Sequence, residues 1–309
     1  MGTSLTVTQA SGAVAAVQRP SFLGILRGEI FKVSRQRATW VMAAILVAIL
    51  IFPYFILTTV RSAFLAEQSH AAPLQFLYTL MGNNLLVLRV FSGPFLIVVT
   101  ARLIGMEYSS GTIRVLLARG VGRLQLVTAK LLTAGLIGLA VLLFGLALDA
   151  VLSLVSLNAI AGNTDALKAL NADFWADTRL YIATVAISMA VSILMAAAVT
   201  VIGRSLAIGL SVGVSFFAAD NIGLIFFFLA NRLTDSDLWL NVTGLLLGPN
   251  LNAMARALLP QRVGLAVRGG LQPPLVPVDG GHTLLVTAVW AVAFLAATIV
   301  LTWRRDVTE

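Results

Sequence analysis

Three ionisable side chains, Arg89, Asp149 and Asp220, fall inside stretches otherwise apolar enough to cross a lipid bilayer. A charge in hydrocarbon is costly, so such residues face protein, water or one another, and they mark polar paths or helix contacts. Asp149 lies 18 residues past Leu131. That is about 27 Å along a helix, near the membrane boundary, where a carboxylate is structural or wetted. Asp220 is deeper, about 21 Å from Leu206, and is followed by Asn221 and Gly223. It reads equally as a polar group on a translocation path or dimer interface and as a helix-to-helix hydrogen bond. Arg89 can snorkel outward or pair with either aspartate.

A second chemistry-bearing stretch lies between the second and third apolar segments. It reads GMEYSSGTIRVLLARGVGRLQLVTAK over 105–130. Ser109, Ser110 and Gly111 break the preceding helix. Thr112 to Ala118 is long enough for two helical turns, and Gly120 and Gly122 break the chain again. A turn that merely crosses the membrane surface needs only a few residues. A short helix studded with Arg114 and Arg119, held between two breaks, is shaped to be gripped by a partner.

Other chemistry is missing from the sequence. It contains no GxxxxGK[ST] phosphate loop, no HExxH, no GxSxG and no paired-carboxylate motif. It contains no cysteine, and its two histidines are His70 and His282. We therefore expect no catalytic residue, no metal site and no cofactor on this chain.

The elements that carry these residues follow from composition. Of 309 residues, 59% are hydrophobic and 11% charged, with a mean hydropathy of +0.96. Soluble domains carry about 25% charged residues, so the pattern predicts an all-α integral membrane protein. About 20 apolar residues cross a bilayer as a helix. Six spans are predicted, at about 38–60, 84–104, 131–154, 180–202, 206–229 and 283–303. Pro53 lies in the first and is tolerated there. Six spans place both termini on one side.

Basic residues set the orientation. The side holding the N-terminal segment, the 105–130 loop, the Arg204 turn and the C-terminal tail carries 13 basic and four acidic residues. The other side carries eight and seven. The first side is therefore read as cytoplasmic, with the chain multi-pass in the cell membrane. The net charge of +8 is this asymmetry. It is spread over membrane-proximal loops rather than on one face, which argues against nucleic acid.

Residues 1–20 are read as a disordered cytoplasmic tail and 21–309 as one membrane domain. Segment 21–37, SFLGILRGEIFKVSRQR, has Phe22, Leu23, Leu26, Ile30 and Val33 at helical spacing. Arg27, Glu29, Lys32 and Arg35 lie largely on another face. Ser21 is the expected N-cap, and the helix is expected to lie in the cytoplasmic interface. Segment 235–260 has too many polar interruptions for a span. It is read as one or two short helices broken at Gly248-Pro249, followed by a Pro-restricted connector over 269–281.

Taken together, the topology, the GEIFKVSRQR helix and the 105–130 loop resemble the permease subunits of ABC-2-type ABC transporters. The residues that carry the resemblance are Glu107, Gly111, Thr112, Arg119, Arg123 and Lys130. One departure is Gly120-Val121-Gly122-Arg123, where a Pro-Val-Ser-Arg-like turn is common. The resemblance covers 21–305. It implies an ATP-driven transporter, with export the favoured direction. Two permease copies, identical or paralogous, would form the path, and separate ATPase subunits would hold ATP and Mg. The 105–130 loop would be the coupling helix, through Glu107, Gly111, Thr112, Arg114, Arg119 and Arg123, with Glu29 and Lys32 as secondary contacts. The competing reading is a non-transporting membrane anchor or assembly subunit of an enzyme complex. A weaker third is an ion-coupled carrier.

Overall fold

Apolar runs without internal breaks grow into long helices because only a helix satisfies its own backbone in lipid. The computed structural model describes residues 21–60, 62–261, 263 and 271–304. The expected tail at 1–20 lies outside them. The helices are α1 (Phe22–Ser34), α2 (Arg37–Val60), α3 (Ser62–Ala71), α4 (Pro73–Ser109), α5 (Thr112–Ala118) and α6 (Arg123–Ala161). A 3-10 turn (Asp165–Ala169) leads to α7 (Ala172–Gly203), α8 (Leu206–Ile222) and α9 (Leu224–Thr234). The short α10 (Leu238–Thr243) and α11 (Leu247–Leu258) precede α12 (Gly280–Arg304). There is no strand among the described residues.

The ends obey local chemistry. Ser21 Oγ accepts from the Gly24 amide at 3.1 Å and caps α1. Asn171 Oδ1 does the same for α7, from the Phe174 amide at 2.8 Å. Pro73 opens α4, in the first turn where its missing N–H is not needed.

α2, α4, α6, α7 and α12 are each long and apolar enough to span. A sixth candidate is α8 with α9, a pair bent by 52° at Gly223. The central pair is α4 and α7, where 67% of each apolar window is buried, against 17% in α2 and α12. Fully buried Leu96, Ile97, Ala101, Val185, Ala196 and Ala197 line the shared core. Trp40, Phe52, Leu143, Leu285 and Val292 point outward. That surface would be a liability in water, whereas in a bilayer it is the solvated face.

Several details differ from the sequence reading. α4, α6 and α7 have 37, 39 and 32 residues. At 1.5 Å per residue they run to about 55, 58 and 48 Å, well beyond the roughly 30 Å of hydrocarbon. The α5-side end of α4 lies beside the α7–α8 turn, where Ser109 Oγ accepts from the Leu206 amide at 3.2 Å, and Lys130, about two turns into α6, reaches Glu107. Most of the excess therefore projects at the opposite end. Hydropathy alone did not mark it, since 73–83 is a mixed stretch. The break between α10 and α11 falls at 244–246, not at Gly248-Pro249. Both of those residues sit in the first turn of α11, where proline is tolerated. In α1, Val33 of the apolar stripe is buried with Glu29 while Leu23 and Ile30 are exposed, so a buried charge contact joins the stripe in setting the inner face.

Candidate functional site

At the α5 end, two carboxylates and two ammonium groups from three helices converge. Lys130 Nζ of α6 lies 2.9 Å from Glu29 Oε2 of α1 and 2.9 Å from Glu107 Oε1 of α4. It also donates to the Leu103 carbonyl at 2.7 Å. Lys32 Nζ donates to Glu29 Oε1 at 2.7 Å and Glu107 Oε1 at 2.6 Å. Glu29, Glu107 and Lys130 are almost wholly buried, while the Lys32 side chain is 42% exposed. Burial is the largest single influence on Glu29 and pushes its carboxyl up. Lys130 and Lys32 together outweigh it and hold the carboxyl below its ordinary 4.5. Burial likewise pulls Lys32 down, and Glu107 and Glu29 overcome it, so Lys32 stays above 10.5. Buried ions are tolerable only when paired in this way. Glu107 Oε2 has no hydrogen-bond partner among the described residues.

From Glu107 the chain runs directly into α5. Gly111 sits before it at φ +68°, a backbone shape that side-chain-bearing residues rarely adopt. Ser110 and Thr112 hydroxyls share a hydrogen bond at 3.0 Å. At the far end Gly120 takes φ +82°. Its amide donates to the Leu117 carbonyl at 3.0 Å, and the Val121 amide to that of Leu116 at 3.2 Å. This is a Schellman termination, and the buried Val121 seats it. α5 itself has no buried residue. Arg114, Val115 and Arg119 are exposed, and Arg123 opens α6 half-buried. The result is a short basic helix with fixed ends, hung from a buried ion-pair cluster.

The intramembrane polar groups fall into two sets. Arg89, buried in α4, pairs with neither aspartate. Its guanidinium donates to Asn252 Oδ1 of α11 at 2.7 Å. Asn252 Nδ2 in turn donates to Asn221 Oδ1 at 3.1 Å and to the Gln272 carbonyl at 3.0 Å. Asp220 Oδ2 accepts from the Gly248 amide, so a carboxylate of α8 caps the N-terminus of α11. Arg89, Ser188, Ser192 and Asp220 border a cavity of about 20 Å³, room for a single water. Asp149 stands apart, where its Oδ1 accepts from the Tyr54 hydroxyl at 2.6 Å, joining α2 to α6.

A family described as ABC-2 family transporter protein matches residues 25–220, well over half of the chain. The match runs from α1 into α8 and contains the whole charge cluster and α5. The chain belongs to the ABC-2 transporter family. It is thus a multi-pass membrane protein and a transporter permease, the membrane subunit rather than the ATPase. No curated protein matches this chain.

Within this ABC-2 permease, the structure gathers Glu29, Lys32 and Glu107 into one site and leaves Gly111, Thr112, Arg114 and Arg119 on the projecting helix. Lys130 carried the family pattern, yet its place at the centre of the cluster was not foreseen, because it looked like the start of a span. Asn252 was missed altogether. A polar residue in an apparent outer loop gives no local sign that it meets Arg89, 163 positions earlier. The usable signal was the run of asparagines at 241, 250 and 252 within an otherwise apolar stretch.

Proposed function

We propose that this chain is the path-forming subunit of an ATP-driven exporter, with α5 as the helix that seats on a separate ATPase subunit. The observation that carries this is α5 itself. It buries nothing against its own bundle, its ends are fixed by glycines at positive φ, and its root is an ion-pair cluster tying α1, α4 and α6. A helix so held transmits force without being part of the core. In this reading the α5 end is cytoplasmic, in line with its excess of arginine and lysine, and six spans return both termini to that side. ATP and Mg belong to the partner, and a second permease copy or a paralogue completes the path. Asp220, Asn221 and Arg89 border that path in the same reading, with Asp149 at its rim.

The test is charge reversal. Arg114→Glu with Arg119→Glu leaves the bundle untouched, since both side chains are exposed. The expected outcome is a folded permease that no longer co-purifies with a P-loop ATPase, or one whose ATP hydrolysis no longer drives transport. Unchanged assembly and unchanged vanadate-sensitive transport would refute the assignment.

A further inference from the structure

Three helices outrun the bilayer at the end away from α5. From the level of Glu107, Lys130 and Gly203, about 20 helical residues use up the roughly 30 Å of hydrocarbon. Residues 73–86 of α4, 151–161 of α6 and 172–182 of α7 therefore lie at or beyond the far boundary. There, roofed by the 3-10 turn and reaching inward to Leu146, Asp149 and Ala150, they line a half-open cavity of about 380 Å³ that straddles the boundary, within the roughly 300–1,000 Å³ of ligand pockets.

The wall is apolar, with Leu80, Leu154, Leu157, Leu167 and Phe174. A hollow inside the hydrocarbon fills with lipid tails by default. One at headgroup level needs an occupant of its own to keep its wall from water. Asn84, Asp149 and Ser153 supply the polar side. Asn84 is 3% exposed and donates to Ser153 Oγ at 3.2 Å. Its Oδ1 is buried with no hydrogen-bond partner among the described residues, so desolvation of that oxygen is uncompensated. Asp149 adds carboxyl oxygens, and no lysine or arginine is among the described residues lining the cavity. The unmet need is a donor.

We propose that this cavity binds a single-chain amphiphile whose head donates a hydrogen bond, an amine or a hydroxyl, to Asn84 and Asp149 while its chain lies against Leu154 and Leu157. A resident membrane lipid and a transported molecule share this chemistry. The proposal stands on the cavity alone and does not depend on ATPase coupling.

The test uses the full chain in phosphatidylcholine nanodiscs, with dodecylamine, dodecanol and dodecanoate each carrying a photoactivatable diazirine. The amine and alcohol should label 77–85 and 146–157 saturably, and the carboxylate roughly tenfold less. Asn84→Leu should weaken that preference, and Asn84→Leu with Asp149→Leu should erase it. Ala150→Phe, which fills the cavity from an exposed position, should abolish saturable labelling without lowering the unfolding temperature. Equal labelling by all three probes, indifference to Ala150→Phe, or cross-links showing a second copy in the cavity would each overturn the proposal. Stimulation of ATP hydrolysis by the amine in the intact complex identifies cargo. A co-purifying lipid that persists through turnover identifies a resident. Should the ATPase reading fail instead, the labelling result on the isolated chain is unaffected.

Discussion

The two polar clusters of this bundle solve the same problem differently. At the α5 end, Glu29, Lys32, Glu107 and Lys130 form a closed set of two negative and two positive charges. Farther along α4, Arg89 is a single buried cation held by the neutral amide of Asn252, while the nearby Asp220 spends its charge on the N-terminus of α11. The first cluster balances charge with charge and reaches water through Lys32. The second balances charge with dipoles around a cavity that has room for one water. Removing one ion from a closed set strands its opposite, whereas removing a cation held by amides strands only neutral groups. The clusters should therefore respond to mutation with different asymmetry.

The largest effect is expected from Lys130→Met, which leaves two buried carboxylates with Lys32 alone. The loss should be about 3–5 kcal/mol, read as a lowered unfolding temperature in detergent, and Glu29→Gln on that background should restore part of it. A strictly additive pair would mean the cluster is not an electrostatic unit.

In the second cluster the order of severity should reverse with the partner removed. Asn252→Leu strands the Arg89 guanidinium and should remove about 1.5–3 kcal/mol. Arg89→Met leaves only an amide unmet and should be milder on the same unfolding assay. If Arg89→Met proves the worse of the two, a carboxylate from elsewhere, such as a second copy, must pair with Arg89 in the assembled transporter.

Acid should also tell the clusters apart. The folded-state pKa of Glu29 lies below 4.5, so its contribution is complete above 4.5 and is lost as pH falls through the depressed value. Lys32 is raised above 10.5, so its contribution is complete below 10.5 and is lost as pH rises through the folded value. The contributions of Glu29 and Lys32 should thus be flat between these limits. Glu29→Gln should flatten the acid limb of a stability-against-pH curve, and an unchanged acid limb would place the titrating group elsewhere.

The smallest effect sharpens what holds α1 in place. Ser21→Ala removes an exposed cap and should lower stability by about 0.5–1 kcal/mol, with no change in the acid limb. A loss as large as that of Lys130→Met would mean that α1 is held by its own helicity rather than by Glu29.

Much was legible in the chain itself. The 59% hydrophobic content and the lengths of the apolar runs required a helical membrane bundle. The serine and glycines around α5 fixed its two ends to the residue, because φ at Gly111 and Gly120 is a local matter. Ser21 marked the start of α1 for the same reason. The partners of the buried charges were not legible. Glu107 meets Lys32 across 75 positions, Lys130 meets Glu29 across 101 and Arg89 meets Asn252 across 163. Hydrophobic period and capping act within a turn or two, so they say which residues face inward on average and nothing about which charge an inward residue meets. Only the packing of α1 on α6, of α11 on α8 and of α4 on α7 decided that Glu29 would be buried, that Asp220 would cap a helix, and that the three longest helices would line a cavity away from the α5 end.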